Sequence, residues 1–353
     1  MDAETRAIYE ANAARWAAAR KPNQTELSMA LAARSHGPTG DLGCGPGWHA
    51  SLLAPPVVAV DAARAMLDLV RVNAPDALPV QADLEALPFR RGALNAAWAR
   101  NSYVHLPRAR VPAALADLQQ SLDVGAVATL LLFLGDVEGR AVFERDDFPG
   151  RFFSQWDVGH IMDVVIGAGF DMDSYDDDSR RAEVRLQVTR ARSLPDVVGQ
   201  DMQLLVCGLN PSLRAADAGI GFVTPGNRFW PAALAAGIAS RDRDPWHALR
   251  VHGTGFTDLV KRASVGAKEI KAAEYRAGYE RVERLVEWLR PAAVVFVGLA
   301  GWRVAVDRDA TAGLQPRAIG GRPAYVMPST SGLNARVPLG ELADHLRAAA
   351  RLG

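Results

Sequence analysis

The stretch CGLNPSLRAADAGIGFVTPGNRFW, from Cys207 to Trp230, decides how the second half of the chain folds. Leu204, Leu205, Val206 and Cys207 make a short apolar run bounded by turn residues, which reads as a buried strand. Gly208 and Pro211 then force the chain out of the sheet. Asn210 is thereby fixed at the carboxyl end of a strand, where open α/β sheets place their ligands. Phe222 follows twelve positions later and Asn227 seventeen, in a loop of Gly, Thr and Pro, before Arg228-Phe229-Trp230 opens an apolar helix. Taken alone, Asn210 reads more readily as part of a strand, a turn and an irregular loop than as a functional group. Together with Phe222, Asn227 and the distant run Met327 to Leu333 (MPSTSGL), it reads as a functional site.

Downstream, apolar and polar segments alternate. Phe229 to Gly237 is expected as a helix ended by glycine, and Asp244-Pro245 as the N-cap and first position of another. Thr254 to Arg262 (TGFTDLVKR) follows. Lys268 to Arg290 has the pattern of a long amphipathic helix stopped by Pro291. Ala292 to Val297 and Ala324 to Met327 read as strands, with helices at Gly301 to Val306 and Leu339 to Leu352. Four strands alternating with helices give a small three-layer α/β/α domain.

The segment 207–230 resembles the first active-site motif and following loop of the mismatch-specific uracil/thymine DNA glycosylases, a family with Asn in a strand-end G-x-N-P-G loop. Gly208, Asn210, Pro211, Phe222, Pro225, Asn227, Arg228, Phe229 and Trp230 stand at that family's spacing. Ser212 departs from it, since Gly is usual there. The stretch Thr254 to Arg262 is similar to the one beside that family's uracil pocket, and Met327 to Arg336 resembles its second motif. The resemblance covers residues from about 200 onward. It implies that Asn210 positions the attacking water and that Phe222 stacks on a flipped base. It also implies that Asn227, Ser329, Ser331 and Gly332 lie at the base pocket and DNA, and that Leu333 fills the hole left by the base. The implied partner is double-stranded DNA with G·U or G·T mismatches. The implied turnover is slow, because Asn210 replaces the strand-end Asp of faster uracil glycosylases and their motif-two His is missing.

At 353 residues, with 49% hydrophobic and 23% charged residues, the chain reads as a soluble globular protein of two domains. The longest apolar run, Ala126 to Leu134, is too short to cross a membrane, and the charged start Met1 to Arg6 is no signal peptide. Cys44 and Cys207 lie at separate strand ends and are expected as reduced thiols of a cytoplasmic protein. No Cys/His cluster has metal-ligand spacing. Formal charge is zero overall, but residues 1–195 hold 20 Lys and Arg against 25 Asp and Glu, and residues 196–353 hold 20 against 15. The basic second half is mildly suited to phosphate. The joint is expected at Ser193 to Gln200, dividing domains at 1–195 and 196–353.

In the first half, a helix over residues 5–20 places Tyr9, Ala13 and Trp16 on one face, and a second helix is expected at about 24–35. Asp41-Leu-Gly43-Cys-Gly45-Pro-Gly47 follows. A G-x-G-x-G run is equally a structural turn or a nucleotide site. Strands are expected at Val57 to Val60, ending in Asp61, at Val80 to Ala82, ending in Asp83, at Leu94 to Ala99 and at Gly125 to Phe133. An acid at Asp61 suits ribose hydroxyls. With intervening helices this is a doubly wound parallel sheet. Residues 5–192 resemble the class I S-adenosylmethionine-dependent methyltransferases. The resemblance implies that Asp41, Gly43, Gly45 and Gly47 hold the methionine end of the cofactor, Asp61 its ribose and Asp83 its adenine. It implies a late helix from Trp156 to Gly169, a sixth strand from Phe170 to Tyr175 and a seventh, antiparallel one from Ala182 to Arg190. Asn95 stands where that family usually has Asp. The acidic run Asp171 to Asp178 reads as a solvated loop. The methyl acceptor is unknown: Ala99 to His105 carries neither the signature of amino-methylating DNA enzymes nor a Pro-Cys pair, and His105 reads more readily as a satisfied histidine than as a base. Two readings stand: both halves are enzymes, or an inactive DNA-binding carboxyl half directs a methyltransferase.

Overall fold

The structure, a computed structural model, describes residues 1–20, 37–140, 143, 146–178, 180–334 and 336–353. The helix expected at 24–35 lies outside the described residues. The chain divides into two compact units, Met1–Ile166 with Phe170–Ala191, and Gly167–Gly169 with Arg192–Gly353.

The first unit carries strands β1 (Thr39–Leu42), β2 (Val57–Asp61), β3 (Leu78–Gln81), β4 (Leu94–Arg100), β5 (Leu122–Leu134), β6 (Glu138–Gly139), β7 (Phe153–Trp156), β8 (Phe170–Asp178) and β9 (Glu183–Arg190). Its described helices are α1 (Ala3–Ala19), α2 (Arg64–Asn73), α3 (Val111–Ser121) and α4 (Val158–Gly167). The parallel order is β3-β2-β1-β4-β5, with β9 antiparallel to β5 and β8 antiparallel to β9. This is the doubly wound, class I methyltransferase-type sheet. β1 is buried along its whole length, as a central parallel strand covered on both faces must be. Two features differ from expectation. The short β6–β7 pair, added beside the end of β5, has no periodicity long enough to read. The acidic run belongs to β8: it is a hydrogen-bonded edge strand, and its carboxylates are largely exposed. Solvation was readable from the charges, but pairing with β9 was not.

The second unit has strands β10 (Leu204–Gly208), β11 (Thr254–Asp258), β12 (Ala293–Val297), β13 (Gly313–Leu314) and β14 (Ala324–Met327), in the order β11-β10-β12-β14-β13. Its helices are α5 (Leu213–Ala218), α6 (Phe229–Ala236), α7 (Pro245–His252), α8 (Ala272–Leu289), α9 (Leu299–Ala305) and α10 (Leu339–Ala350). All but β13 run parallel; β13 is a two-residue antiparallel edge and makes the sheet five-stranded where four strands were expected. The main core lies against α6 and α10, where Phe229, Trp230, Leu342 and Leu346 close over Val206, Val295 and Met327. Gly237 adopts the left-handed conformation that ends α6, and the Asp244 carboxylate accepts from the His247 amide to start α7. α8 begins at Ala272, one 3₁₀ turn later than its charge pattern suggested. The segment expected as a joint is built into this unit: Val197 exchanges two backbone hydrogen bonds with Phe256.

α8 reaches the loop after β11 through Gly278, where a Cβ would collide with the Leu259 carbonyl oxygen. Gly278→Ala should therefore destabilise by about 1–3 kcal/mol or more through overpacking. Gly340→Ala, at an open position of α10, should be neutral or stabilising by up to about 1 kcal/mol. Denaturant titration of both variants checks this; equal stabilities would remove Gly278 as the reason for the close approach.

Candidate functional sites

In the second unit, β10 and β11 end side by side, with Gly208 in register with Asp258. The two exit loops then continue the ladder: the Leu259 amide donates to Gly208 O at 2.9 Å and the Val260 amide to Leu209 O at 3.0 Å. Asn210 comes next. Its Nδ2 donates to Pro211 O at 3.1 Å, Arg262 O at 3.1 Å and Ser264 Oγ at 2.8 Å. Among the described residues nothing donates to its Oδ1. An amide has two donor hydrogens and one carbonyl. The acceptors therefore fix the flip of the group and present the carbonyl oxygen as its remaining functional atom. Asn210 is half-buried, so that oxygen stands at a polar, accessible strand end.

The loop from Phe222 to Asn227 folds over this point. Phe222 has a left-handed φ of 61°, a conformation uncommon for a large side chain. Its ring stacks on Phe229 at 4.1 Å between centroids and 20° between planes, which holds it there. Ser212 explains itself: its hydroxyl caps α5 and meets Thr224 Oγ1 at 3.1 Å, two contacts that glycine could not make. Asn227 is an organiser of loops. Its Oδ1 accepts from the Phe229 amide at 2.9 Å and from Thr330 Oγ1 at 3.0 Å, tying the first motif to the second. Arg228 does the same, donating to Asn334 O at 2.6 Å and to Val337 O.

The second motif leaves β14 as a chain of small turns. Ser329 Oγ accepts from the Ser331 amide at 3.3 Å, and Ser331 Oγ from the Leu333 amide at 3.4 Å. A Cβ on Gly332 would stand 3.1 Å from Gly226 O, so glycine lets the two loops touch. At the tip, Leu333 is 100% exposed. Burying no surface within its own fold, a leucine at a loop tip is available to another molecule. Ala335 lies outside the described residues.

Sequence reasoning missed Ser264, which is 4% exposed and holds Asn210, and it left Asp258 without a role inside the stretch 254–262. Ser264 reaches Asn210, and Asp258 reaches Gly208, only because β10 and β11 are neighbours in this register.

In the first unit a cavity of about 690 Å³ opens at the carboxyl ends of β1 and β4. Asp41, Gly43, Gly45 and Asp61 line it, as do Trp16, His49, Asn101 and Ser102. Gly47 does not: a Cβ there would meet Val70 at 3.1 Å, so this glycine serves the packing of α2. Asp83 does not either. Its carboxylate is held by the Met1 amino group, which also donates to Glu85 Oε2 at 2.8 Å. Asp61 closes the turn by accepting from the Gly45 amide at 3.0 Å and the Ala63 amide at 2.8 Å. Burial raises its carboxyl to about 6. Burial, and then the neighbouring Asp61, raise Asp41 to about 8.

Among the described residues, four buried polar atoms in this wall have no hydrogen-bond partner: Asp41 Oδ2, His49 Nε2, Asn101 Oδ1 and Ser102 Oγ. Buried polar groups are rarely left unpaired, so a cluster of them around one cavity is open to water or to a polar ligand. A set holding two oxygen acceptors and a hydroxyl donor fits a zwitterionic amino-acid group. Farther along, His105 Nδ1 meets Phe152 O at 2.7 Å; a carbonyl only accepts, so Nδ1 carries the hydrogen. Nε2 then accepts from Tyr9 OH at 2.9 Å, and Arg151 donates to Tyr9 OH at 2.7 Å. Burial pushes His105 down to about 4. It is a neutral, satisfied histidine rather than a base. Cys44 and Cys207 are buried free thiols.

Fold and geometry together define a two-unit α/β protein in which a doubly wound methyltransferase-type sheet precedes a three-layer unit. Residues 40–125 match the family described as a methyltransferase domain, and residues 195–349 match the uracil DNA glycosylase superfamily. A putative methyltransferase in a complex with the Haloferax volcanii Trm112 activator is 14% identical, with a TM-score of 0.45 over 53% of this chain and 97% of that one. A Mesorhizobium loti S-adenosylmethionine-dependent methyltransferase is 19% identical, with a TM-score of 0.38 over 46% and 95%. The DhpI–SAH complex is 18% identical, with a TM-score of 0.43 over 53% and 95%. Among the described residues no helix is long and apolar enough to cross a membrane.

A ligand ammonium at Asp41 would favour the carboxylate over the acid. Affinity for S-adenosylhomocysteine should therefore rise as pH increases toward about 8, where Asp41 loses its proton unaided, and level off above. Calorimetry across pH checks this, and Asp41→Asn should weaken binding and flatten the dependence.

Proposed function

We propose that residues 196–353 form a DNA glycosylase that excises uracil, and more slowly thymine, mispaired with guanine, and that residues 1–195 form an S-adenosylmethionine-dependent methyltransferase. The observation that carries the first half of this reading is the fixed amide of Asn210 at a strand end, its carbonyl oxygen without a donor among the described residues.

A base within a duplex is out of reach and must be flipped, at a cost of a few kcal/mol that is least for a mispair. Leu333 is suited to fill the gap in the stack. Phe222, braced on Phe229, offers a platform for the flipped ring. Asn210 Oδ1 accepts a hydrogen bond from water and aims its oxygen at C1′ of the sugar. The new C1′–O bond forms as C1′–N1 breaks; the bonding pair leaves with the base, and the water's proton passes to solvent. An amide positions water without deprotonating it, so catalysis here rests on geometry and turnover is slow. The hydroxyls and amides of Ser329 to Gly332 suit a sugar phosphate, and the mild positive charge of this half suits the duplex backbone.

In the first unit, Asp41, Asn101, Ser102 and His49 would hold the amino-acid end of S-adenosylmethionine, and Asp61 its ribose. The cofactor supplies an electrophilic methyl group when bound. Asp83 would meet adenine only if Met1 released it. The acceptor is unassigned, and two buried reduced thiols fit a cytoplasmic protein.

Single-turnover cleavage of labelled G·U, G·T and A·U duplexes, developed by alkaline strand scission, tests the glycosylase. Wild type should cut G·U fastest. Asn210→Ala should lose about 10²-fold or more while still binding the duplex. Leu333→Ala should impair excision more than general binding, and binding should weaken with salt. Intact G·U duplex after hours at enzyme excess would leave the second half as a DNA-binding module for the methyltransferase.

A further inference from the structure

Asp258 ends β11 opposite Gly208, at the point where the two exit loops begin. Gly208 has no side chain, and two groups converge on the space that a Cβ would take. Asp258 Oδ1 would collide with it, and Phe222 Cζ would stand 3.4 Å away. The carboxyl and the aromatic ring are therefore neighbours on one side of the strand end, two residues before Asn210. Asp258 is half-buried, and among the described residues its carboxyl takes part in no hydrogen bond or ion pair. The two cations near it are committed elsewhere. Lys261 Nζ, on its own loop, stands 2.8 Å from Asp196 Oδ1, and Arg281 Nη1, on α8, stands 2.7 Å from Asp196 Oδ2.

We propose that Asp258 is a second catalytic residue of the glycosylase site, whose acid form donates a hydrogen bond to a carbonyl oxygen of the departing base. This rests on the glycosylase reading above and adds to it the group that receives the leaving charge. As C1′–N1 breaks, the electron pair moves into the pyrimidine ring and onto its carbonyl oxygens. A hydrogen-bond donor fixed there stabilises the developing anion, whereas a carboxylate in the same place repels it. Asn210 can serve the water but not the base, because its amide hydrogens are engaged by Pro211, Arg262 and Ser264. Among the described residues, Asp258 is a group without a partner on the Phe222 side.

The charges around Asp258 keep a proton within reach. Burial raises its carboxyl to about 6, with Asp196 adding to the rise, while Lys261 and Arg281 oppose it. The Cys207 thiol on β10 is pushed up by burial and by Asp258, and stays neutral. The acid form is thus dominant below about pH 6 and falls about tenfold per unit above it. Excision that needs this form must slow as pH rises.

The test is single-turnover excision of uracil from a G·U duplex by the full chain between pH 5 and 8.5, for wild type and Asp258→Asn. The asparagine amide donates at every pH. Wild type should show a plateau at low pH and a decline approaching tenfold per unit above the turning point. Asp258→Asn should be nearly flat and, at pH 8, faster than wild type. Duplex affinity and melting temperature should be alike in both, which a packing role would not predict. Superimposable pH profiles for the two proteins would overturn the proposal while leaving the glycosylase in place. No excision by wild type at any pH would overturn the glycosylase reading and the proposal with it.

Discussion

The parallel pairing of β10 with β11, and its continuation into the loops that follow, is the constraint on which the second unit's site depends. In register, Gly208 and Asp258 bring two strand ends together, and the Leu259 and Val260 amides carry the ladder two steps past the sheet. Asn210 is the next rung, with its side chain in place of a backbone group. Three acceptors around one nitrogen leave the amide a single orientation. A strand end positions a functional group to within small tolerances because the sheet behind it cannot yield. Gly278 supports the same point from behind, letting α8 lie against the loop at Leu259.

The first unit solves a related problem with the opposite economy. Its strand ends hold polar atoms that lack partners among the described residues, and two buried carboxyls are raised well above the usual carboxylate range. Such a wall has polar capacity to spare for a ligand of matching charge. The second unit's motif residues are mostly satisfied internally, and what they offer outward is a carbonyl oxygen, an aromatic platform, a carboxyl and one exposed leucine. The contrast suits a small enclosed cofactor in one unit and a large polymer in the other.

Much of this was legible in the chain. Gly and Pro after a run of apolar residues marked the exit of β10, the glycine turn marked the exit of β1, and other buried parallel strands announced themselves as short apolar runs. Asn210, Phe222 and Asn227 could be singled out from their spacing. What the sequence could not show was pairing. Asp258 and Ser264 gain their place from a neighbouring strand some fifty residues away, a tertiary fact with no local pattern. Short elements escaped for another reason: β6, β7 and β13 are too brief for periodicity, and α5 is a six-residue Ala-rich turn whose N-cap, Ser212, looked like a departure from a motif. Gly47 and Asp83 have contacts with no local sequence pattern, since a Cβ on the first would meet Val70 and the second is held by Met1.

On the proposed glycosylase reading, Asn210 acts through an orientation imposed from the β11 loop. A double-mutant cycle on single-turnover uracil excision tests it, using Asn210→Ala, Ser264→Ala and the pair. Ser264→Ala should slow wild type by loosening the amide, about tenfold for one lost hydrogen bond, and should have no further effect once Asn210 is alanine. Equal effects of Ser264→Ala in both backgrounds would contradict the account, because the loop would then matter for something other than holding Asn210.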